Sequence, residues 1–106
     1  MKNLNIALEE MGFKEVFNVD NIVSYNRNYV KELIDTRVSS LNYCYTRETY
    51  RIEIILQKKE ALDFKPFSFI KDLNKKSIRA KFIGEKKLAG DIRIVAFELK
   101  VTVIER

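Results

Sequence analysis

The sequence contains no histidine and no tryptophan, and it has only one cysteine, one proline and three glycines among 106 residues. Without histidine the commonest general base near neutral pH is missing, which excludes the Ser-His and Cys-His nucleophile systems. A single cysteine, Cys44, excludes an internal disulfide and a structural zinc site. We interpret Cys44, which lies between two tyrosines, as a small structural thiol.

Catalytic and nucleotide-binding motifs are also absent. Three isolated glycines cannot form a phosphate-binding loop, and neither GxxxxGK[ST] nor GxGxxG occurs. The acidic residues are scattered, so no pair or cluster of carboxylates indicates acid–base catalysis or a metal site. We therefore predict no catalytic residue, no metal ligand and no cofactor, and an enzyme is the least expected class of function.

No long apolar run is present. None approaches the roughly 20 residues that span a bilayer, and Glu9 and Glu10 fall where a signal peptide would need its apolar stretch. These features predict a cytoplasmic protein without a membrane partner. With 46% apolar and 33% charged residues, the chain is expected to form a single domain over residues 1–106.

Alternation of apolar and polar residues predicts the clearest strands. Near the C-terminus every second residue is apolar: Val95, Phe97, Leu99, Val101 and Val103. Residues 49–57 alternate in the same way, with Tyr50, Ile52, Ile54 and Leu56 on one face. Such alternation is typical of strands with one face in a core. Residues 77–83 predict a further strand, and GEKKLAG, between Gly84 and Gly90, predicts the turn after it.

Helical spacing occurs in two further segments. Residues 3–11 predict a short helix that Asn3 caps and Gly12 ends. Residues 66–76 predict a longer helix, because Pro66 suits a first helical turn and an apolar stripe follows at Phe69, Ile70 and Leu73.

The stretch around residues 29–38 has two interpretations. Asn28 could cap a helix in which four apolar residues share a face: Val30, Leu33, Ile34 and Val38. The same stretch could instead be extended. Elsewhere we predict strands at residues 13–19 and 22–25 around an Asp20-Asn21 turn, a β-forming segment at 40–46, and a loop after Lys58-Lys59-Glu60.

These elements predict an α+β domain, in which one mostly antiparallel sheet carries one or two helices on a face. The net charge of +5 comes from one part of the chain, because residues 58–87 contain ten basic and four acidic residues. A positive segment favours nucleic acid or another anionic partner. Its candidate interaction residues are Lys58, Lys59, Lys75, Lys76, Arg79, Lys81, Lys86 and Lys87.

Two observations argue against nucleic-acid binding as the function of this segment. Lysines outnumber arginines nine to one in this segment, although arginine is the residue preferred for bidentate phosphate recognition. Phe69 and Phe82 fall on predicted apolar faces, where they would pack in the core rather than stack on bases. A solvated lysine-rich face is therefore the favoured interpretation, and nucleic acid is a possible but not a favoured partner.

A second candidate surface lies in the middle of the chain. Tyr43, Tyr45 and Tyr50 cluster around Arg47 and Arg51, and both residue types are enriched in protein interfaces. We predict a subunit boundary near Arg47, Tyr50 and Arg51.

The order of these elements resembles the tail-terminator and tail-completion proteins of long-tailed bacteriophages. The resemblance rests on the opening LEEMGFKEVF, the mid-chain strand YRIEIILQ, the helix FSFIKDLNKKS and the closing strand AFELKVTVIER. It implies a non-enzymatic subunit that assembles into a homo-oligomeric ring with other structural proteins, in the host cytoplasm or the virion. No motif allows individual functional residues to be transferred.

Three functions remain open at this point. The first is the structural assembly subunit that the resemblance implies. The second is a small basic nucleic-acid-binding module, and the third is a small inhibitor or immunity-type protein that binds another protein. The sequence favours the first.

Overall fold

The computed structural model describes residues 4–16, 27–39, 44–88 and 92–105. These residues form one five-stranded sheet and three helices: α1 Leu4–Glu10, β1 Lys14–Glu15, β2 Arg27–Ser39, β3 Cys44–Leu56, α2 Lys58–Asp63, α3 Pro66–Lys75, β4 Arg79–Leu88 and β5 Ile92–Glu105. The strand order is β1-β2-β3-β5-β4. All neighbours are antiparallel except β1 and β2, which are parallel.

The α+β class with a mostly antiparallel sheet is thus confirmed, with three helices instead of one or two. β3 and β5 form the centre of the sheet and pair along their whole lengths, from Cys44↔Glu105 to Leu56↔Arg93. Paired residues share a face of the sheet. The predicted apolar faces of these two strands therefore coincide, and they form the helix-covered face of the sheet.

The core lies between this face and the helices. Phe97 is at its centre, with ring centroids 4.9 Å from Phe69, 6.0 Å from Phe82 and 6.4 Å from Phe64. Phe69 and Leu73 of α3 are buried as their spacing predicts. From α1, Leu4, Ala7 and Leu8 are buried in the same core.

The ends of the helices follow the local sequence. After α1 the amide of Phe13 donates to the carbonyl of Leu8 at 3.0 Å. The reversal requires the positive φ of Gly12, 87°, a conformation that costs glycine little. Pro66 begins α3, where its missing N–H leaves no helical hydrogen bond unmade.

Of the two interpretations of residues 29–38, the extended one is correct, since β2 pairs with β3 along its length, with a bulge at Leu33/Asp35. Two other local predictions are wrong. The chain after Glu60, predicted as a loop, is helical as far as Asp63 in α2. Gly84 does not begin a turn, because β4 continues to Leu88 and only bulges there.

Other predictions cannot be compared with the structure. The cap at Asn3, the strand residues 17–19 and 22–25, the Asp20-Asn21 turn and residues 40–43 lie outside the described residues. Of the strand predicted at 13–19, Lys14 and Glu15 are confirmed as β1.

Arg93 joins the helices to the end of the sheet. Its guanidinium donates to the carbonyls of Ala61 and Phe64, at 3.2 and 2.8 Å, and pairs with the carboxylate of Glu85 on β4. The side chain of Arg93 is 14% exposed. It therefore supplies donors to backbone carbonyls where α2 meets α3, as well as one ion pair.

The packing of Phe97 generates a stability prediction. Replacing Phe97 with Ala should lower the free energy of unfolding by about 3–5 kcal/mol, because a fully buried ring is removed from a dense aromatic cluster. Phe67, which is 76% exposed, is the matched control, and Phe67→Ala should change the same quantity by about 0.5 kcal/mol or less. Urea denaturation measures both. Equal losses would contradict the assignment of the core face.

The ion pair of Arg93 generates a pH prediction. Its hydrogen bond lowers the pKa of Glu85 below the ordinary value. The pair therefore stabilises the folded state above that ordinary value, and the stabilisation is lost as pH falls through the lowered pKa. Acidification from about pH 5 should thus destabilise the wild type more than Glu85→Gln. Equal acid sensitivity of the wild type and Glu85→Gln in urea denaturation would contradict the role of this ion pair.

Candidate functional site

The basic residues of segment 58–87 do not form one patch. Lys58 and Lys59 begin α2, and Lys75 and Lys76 lie at the end of α3. The other four are on β4, where Arg79, Lys81 and Lys86 lie on the face opposite the helices and Lys87 lies on the helix-covered face. The segment is positive in sequence, but the fold divides its charge among separate surfaces.

One of these lysines forms an ion pair within the protein, and two others lie beside apolar side chains. The Nζ of Lys76 lies 3.8 Å from Oε2 of Glu10, an ion pair between α1 and the end of α3. Lys58 and Lys87 line one shallow depression with Leu62, Leu88 and Ile92. The segment therefore offers no continuous track for a polyanion.

The predicted subunit residues Arg47, Tyr50 and Arg51 all lie on β3, inside the sheet. Their side chains divide between its two faces, because strand residues alternate. Tyr50 is on the helix-covered face, where its hydroxyl donates to Oε2 of Glu48 at 3.1 Å. Burial, with that hydrogen bond, raises the pKa of Tyr50. Arg47 and Arg51 are exposed on the other face.

The face opposite the helices, here called the second face, has two halves. At one end, Ile55, Ile94 and Asn28 are buried. Toward the other end it carries charged side chains in rows that run across the strands. One row alternates in sign from β2 to β4: Glu32, Arg51, Glu98 and Lys81. Opposite charges on directly paired residues stabilise a sheet modestly.

The next two rows pair like charges. Arg79 on β4 is directly opposite Lys100 on β5, and Arg37 on β2 is directly opposite Arg47 on β3. We call these four residues the distal cation cluster. Arg79 and Arg47 belonged to two different predicted surfaces, and Arg37 and Lys100 belonged to neither. The alternating pattern of each strand shows that these residues are on a polar face. Only the register between strands shows that they lie close together.

A polar cluster lies on the other side of the sheet, between α1 and β2. The hydroxyl of Tyr29 and the Nζ of Lys31 both donate to Oδ1 of Asn5, at 3.0 and 2.7 Å. Nζ of Lys31 is also 3.9 Å from Oε2 of Glu15. Burial raises the pKa of Tyr29, and Glu15 adds to the shift. The hydroxyl therefore stays protonated, and the cluster joins α1, β1 and β2.

A shallow depression lies where α1 ends beside α2 and α3. Arg27 lies on its wall, with Nε 2.7 Å from Oε2 of Glu60 and Nη1 3.1 Å from the carbonyl of Met11. The guanidinium is 5.2 Å from the centroid of the Phe13 ring. These contacts fix Arg27 as a structural link between β2 and α2.

The edges of the sheet are the remaining distinctive feature. β1 pairs with β2 only at Asn28 and Tyr29. From Lys31 to Ser39, one edge of β2 has no strand partner among the described residues. On this stretch Leu33 is 50%, Ile34 54% and Val38 71% exposed. β4 forms the opposite edge of the sheet, whereas β5 is an interior strand.

The described residues show neither a metal-binding cluster nor a membrane-spanning helix. Within the described ranges, no three His, Cys, Asp or Glu residues lie close enough to hold a metal ion. None of the helices in that same part of the chain is long and apolar enough to cross a membrane. No known protein-family profile matches the sequence, and no curated protein is significantly similar to it.

Proposed function

We propose that this protein is a non-enzymatic assembly subunit that forms a homo-oligomeric ring through the edges of its sheet. The order of its elements supports this proposal by its resemblance to phage tail-terminator and tail-completion proteins. The observation that carries it is the edge of β2, which has exposed apolar side chains and no strand partner among the described residues. We refer to residues 31–39 of this strand as the β2 edge.

The physical case begins with the backbone. A strand edge presents N–H and C=O groups that can pair with another chain, and soluble proteins usually protect such edges. The β2 edge has a bulge and several charges, but Leu33, Ile34 and Val38 leave apolar surface beside a backbone that no other described strand pairs with. Pairing with another strand would bury part of that surface and satisfy the backbone groups.

The two edges of the sheet differ, which favours a ring over a two-fold dimer. β4 carries Lys81, Lys86 and Lys87, and lysine on an edge opposes uncontrolled stacking. A contact between the β2 edge of one copy and β4 of the next is heterologous. Heterologous contacts produce a closed ring when the rotation between copies closes.

Charge supports the same pairing. Glu32 and Asp35 on β2 lie on the second face, as do Arg79 and Lys81 on β4. β2 and β4 run antiparallel within one chain, so β4 of one copy and β2 of the next can continue the antiparallel order. The acidic side chains would then lie beside the basic side chains on one face, which is favourable across paired strands.

We expect the isolated protein to form a discrete oligomer larger than a dimer. Light scattering after size-exclusion chromatography, over a range of protein concentrations, measures the mass. The double variant Leu33→Lys/Val38→Lys should shift the protein to monomer, because it places two charges on the β2 edge. Both side chains are exposed, so the monomer should remain folded by circular dichroism.

The matched control is Leu62→Lys, which adds a charge at an 84% exposed leucine of α2, beside the Leu88 end of β4 and away from the β2 edge. It should leave the oligomer intact. A wild-type protein that is monomeric at all concentrations would overturn the proposal. A folded double variant that keeps the wild-type mass would also overturn it, because the β2 edge would then not form the contact.

A further inference from the structure

The distal cation cluster is unusual because its charges oppose each other within the sheet. Arg79 faces Lys100, and Arg37 faces Arg47, in two adjacent rows of the second face. Like charges directly opposite one another destabilise paired strands. All four side chains are exposed, so their stems add little to the core. The fold therefore carries an electrostatic cost here that packing does not explain.

One ion pair within the two rows offsets this charge, and Glu98 of the next row lines a depression with Arg79 and Lys100. Asp35 pairs with Arg37, with Oδ2 3.1 Å from Nε, and it is the only carboxylate in the two rows. No other ion pair involves the cluster within the described part of the chain. The remaining members of the two rows are Thr49, which is buried, and Thr102. The result is four cations and one carboxylate on one side of the sheet.

We propose that the distal cation cluster binds the phosphate backbone of a nucleic-acid duplex. Three of its four cations are arginines, whose planar guanidinium matches phosphate oxygens in a bidentate way. Neighbouring rows are about 7 Å apart along a strand and neighbouring strands about 4.8 Å apart, so the cations cover an area instead of one point. An anionic chain lying across them relieves both repulsions at once.

The composition of these rows favours a nucleic acid over an acidic protein. The row from Glu32 to Lys81 and the two rows of the cluster contain no aromatic and no aliphatic side chain. Protein interfaces are built around an apolar core, whereas nucleic-acid interfaces are polar and strongly positive. Without aromatic side chains these rows provide no stacking platform. Binding is therefore through the backbone and independent of base sequence.

Two residues of this site lie outside the proposed ring contact. Arg47 and Lys100 lie on the interior strands β3 and β5, so an edge-to-edge contact leaves them uncovered. Their replacement should change nucleic-acid binding without changing the mass of the oligomer. Failure of one proposal is thus distinguishable from failure of the other.

The test is fluorescence anisotropy with a labelled 30-base-pair DNA duplex of mixed sequence, titrated at several salt concentrations. The wild type should bind with an affinity that falls steeply with salt. At low salt, the affinity of the double variant Arg47→Gln/Lys100→Gln for the duplex should be lower than that of the wild type by a factor of up to about ten. The magnitude of its log–log salt slope should fall by about two, since two phosphate contacts are lost.

The matched control is Lys58→Gln/Lys59→Gln, which removes the same charge from α2. It should keep nearly the affinity and slope of the wild type. Equal weakening in both double variants would show a net-charge effect and overturn the site, as would a wild type without salt-dependent binding. Polyglutamate that competes as well as unlabelled duplex would assign the cluster to an acidic protein and also overturn it.

A second readout does not require the ligand. If the like-charge pairs cost stability, Lys100→Gln should raise the melting temperature at low salt, and added salt should reduce the gain. Lys59→Gln should not show this pattern. A lower melting temperature for Lys100→Gln would mean that Lys100 stabilises the sheet, and the argument from uncompensated repulsion would fail.

Discussion

The antiparallel pairing of β3 with β5 runs over 13 residue pairs, and both strands lie inside the sheet. Strand residues alternate between faces, so a shift of one residue in this pairing would move every apolar side chain of β5 to the wrong face. The observed register aligns Ile52 with Phe97 and Ile54 with Val95 on the helix-covered face. The aromatic cluster around Phe97 then attaches α3 and the α2–α3 connection to the sheet. The same register decides which charges meet on the second face.

Much of this arrangement could be predicted from the sequence, because local patterns and the final packing agree. The alternation in β3 and β5 identified both strands and their core faces, and Pro66 with Phe69 and Leu73 identified α3. In α1, Gly12 has the positive φ that its place after the helix predicts. Each of these elements has either a regular repeat of apolar residues or a clear signal at one end. In such segments the local sequence preference and the tertiary packing favour the same secondary structure.

The predictions were undecided or wrong where the local signal was ambiguous or short. In β2, four apolar residues fit a helical face, but pairing with β3 determines the structure, and the bulge near Ile34 breaks the period of two. In α2, the sequence KKEALD has no apolar stripe and no buried residue. Its position is fixed from outside, since Arg27 pairs with Glu60 and Arg93 binds the carbonyl of Ala61. Such contacts depend on residues far away in the chain.

The candidate surfaces were less predictable than the fold for a related reason. Basic residues are dense in the sequence at 58–87, which predicted one positive surface. In the fold these residues lie on two helices and on both faces of β4. The distal cation cluster instead combines residues from four strands, and neither Arg37 nor Lys100 is conspicuous in its own segment. A surface formed across strands depends on register, and register follows from the core pattern of all the strands together. In this sheet, packing of the core sets the register, and the register determines which charged side chains on the second face are opposite one another.

The two proposed surfaces use different properties of the same sheet. An edge contact uses the backbone groups of β2 and β4, whereas the distal cation cluster uses side chains that project from one face. In a head-to-tail ring with a continuous sheet, the second faces of successive copies would lie on the same side of the wall. The cation rows of neighbouring copies would then form one belt around the ring. Each copy contributes only four cations, but polyanion affinity grows with the number of phosphates neutralised together. A ring would thus strengthen a site that each subunit already carries on its own.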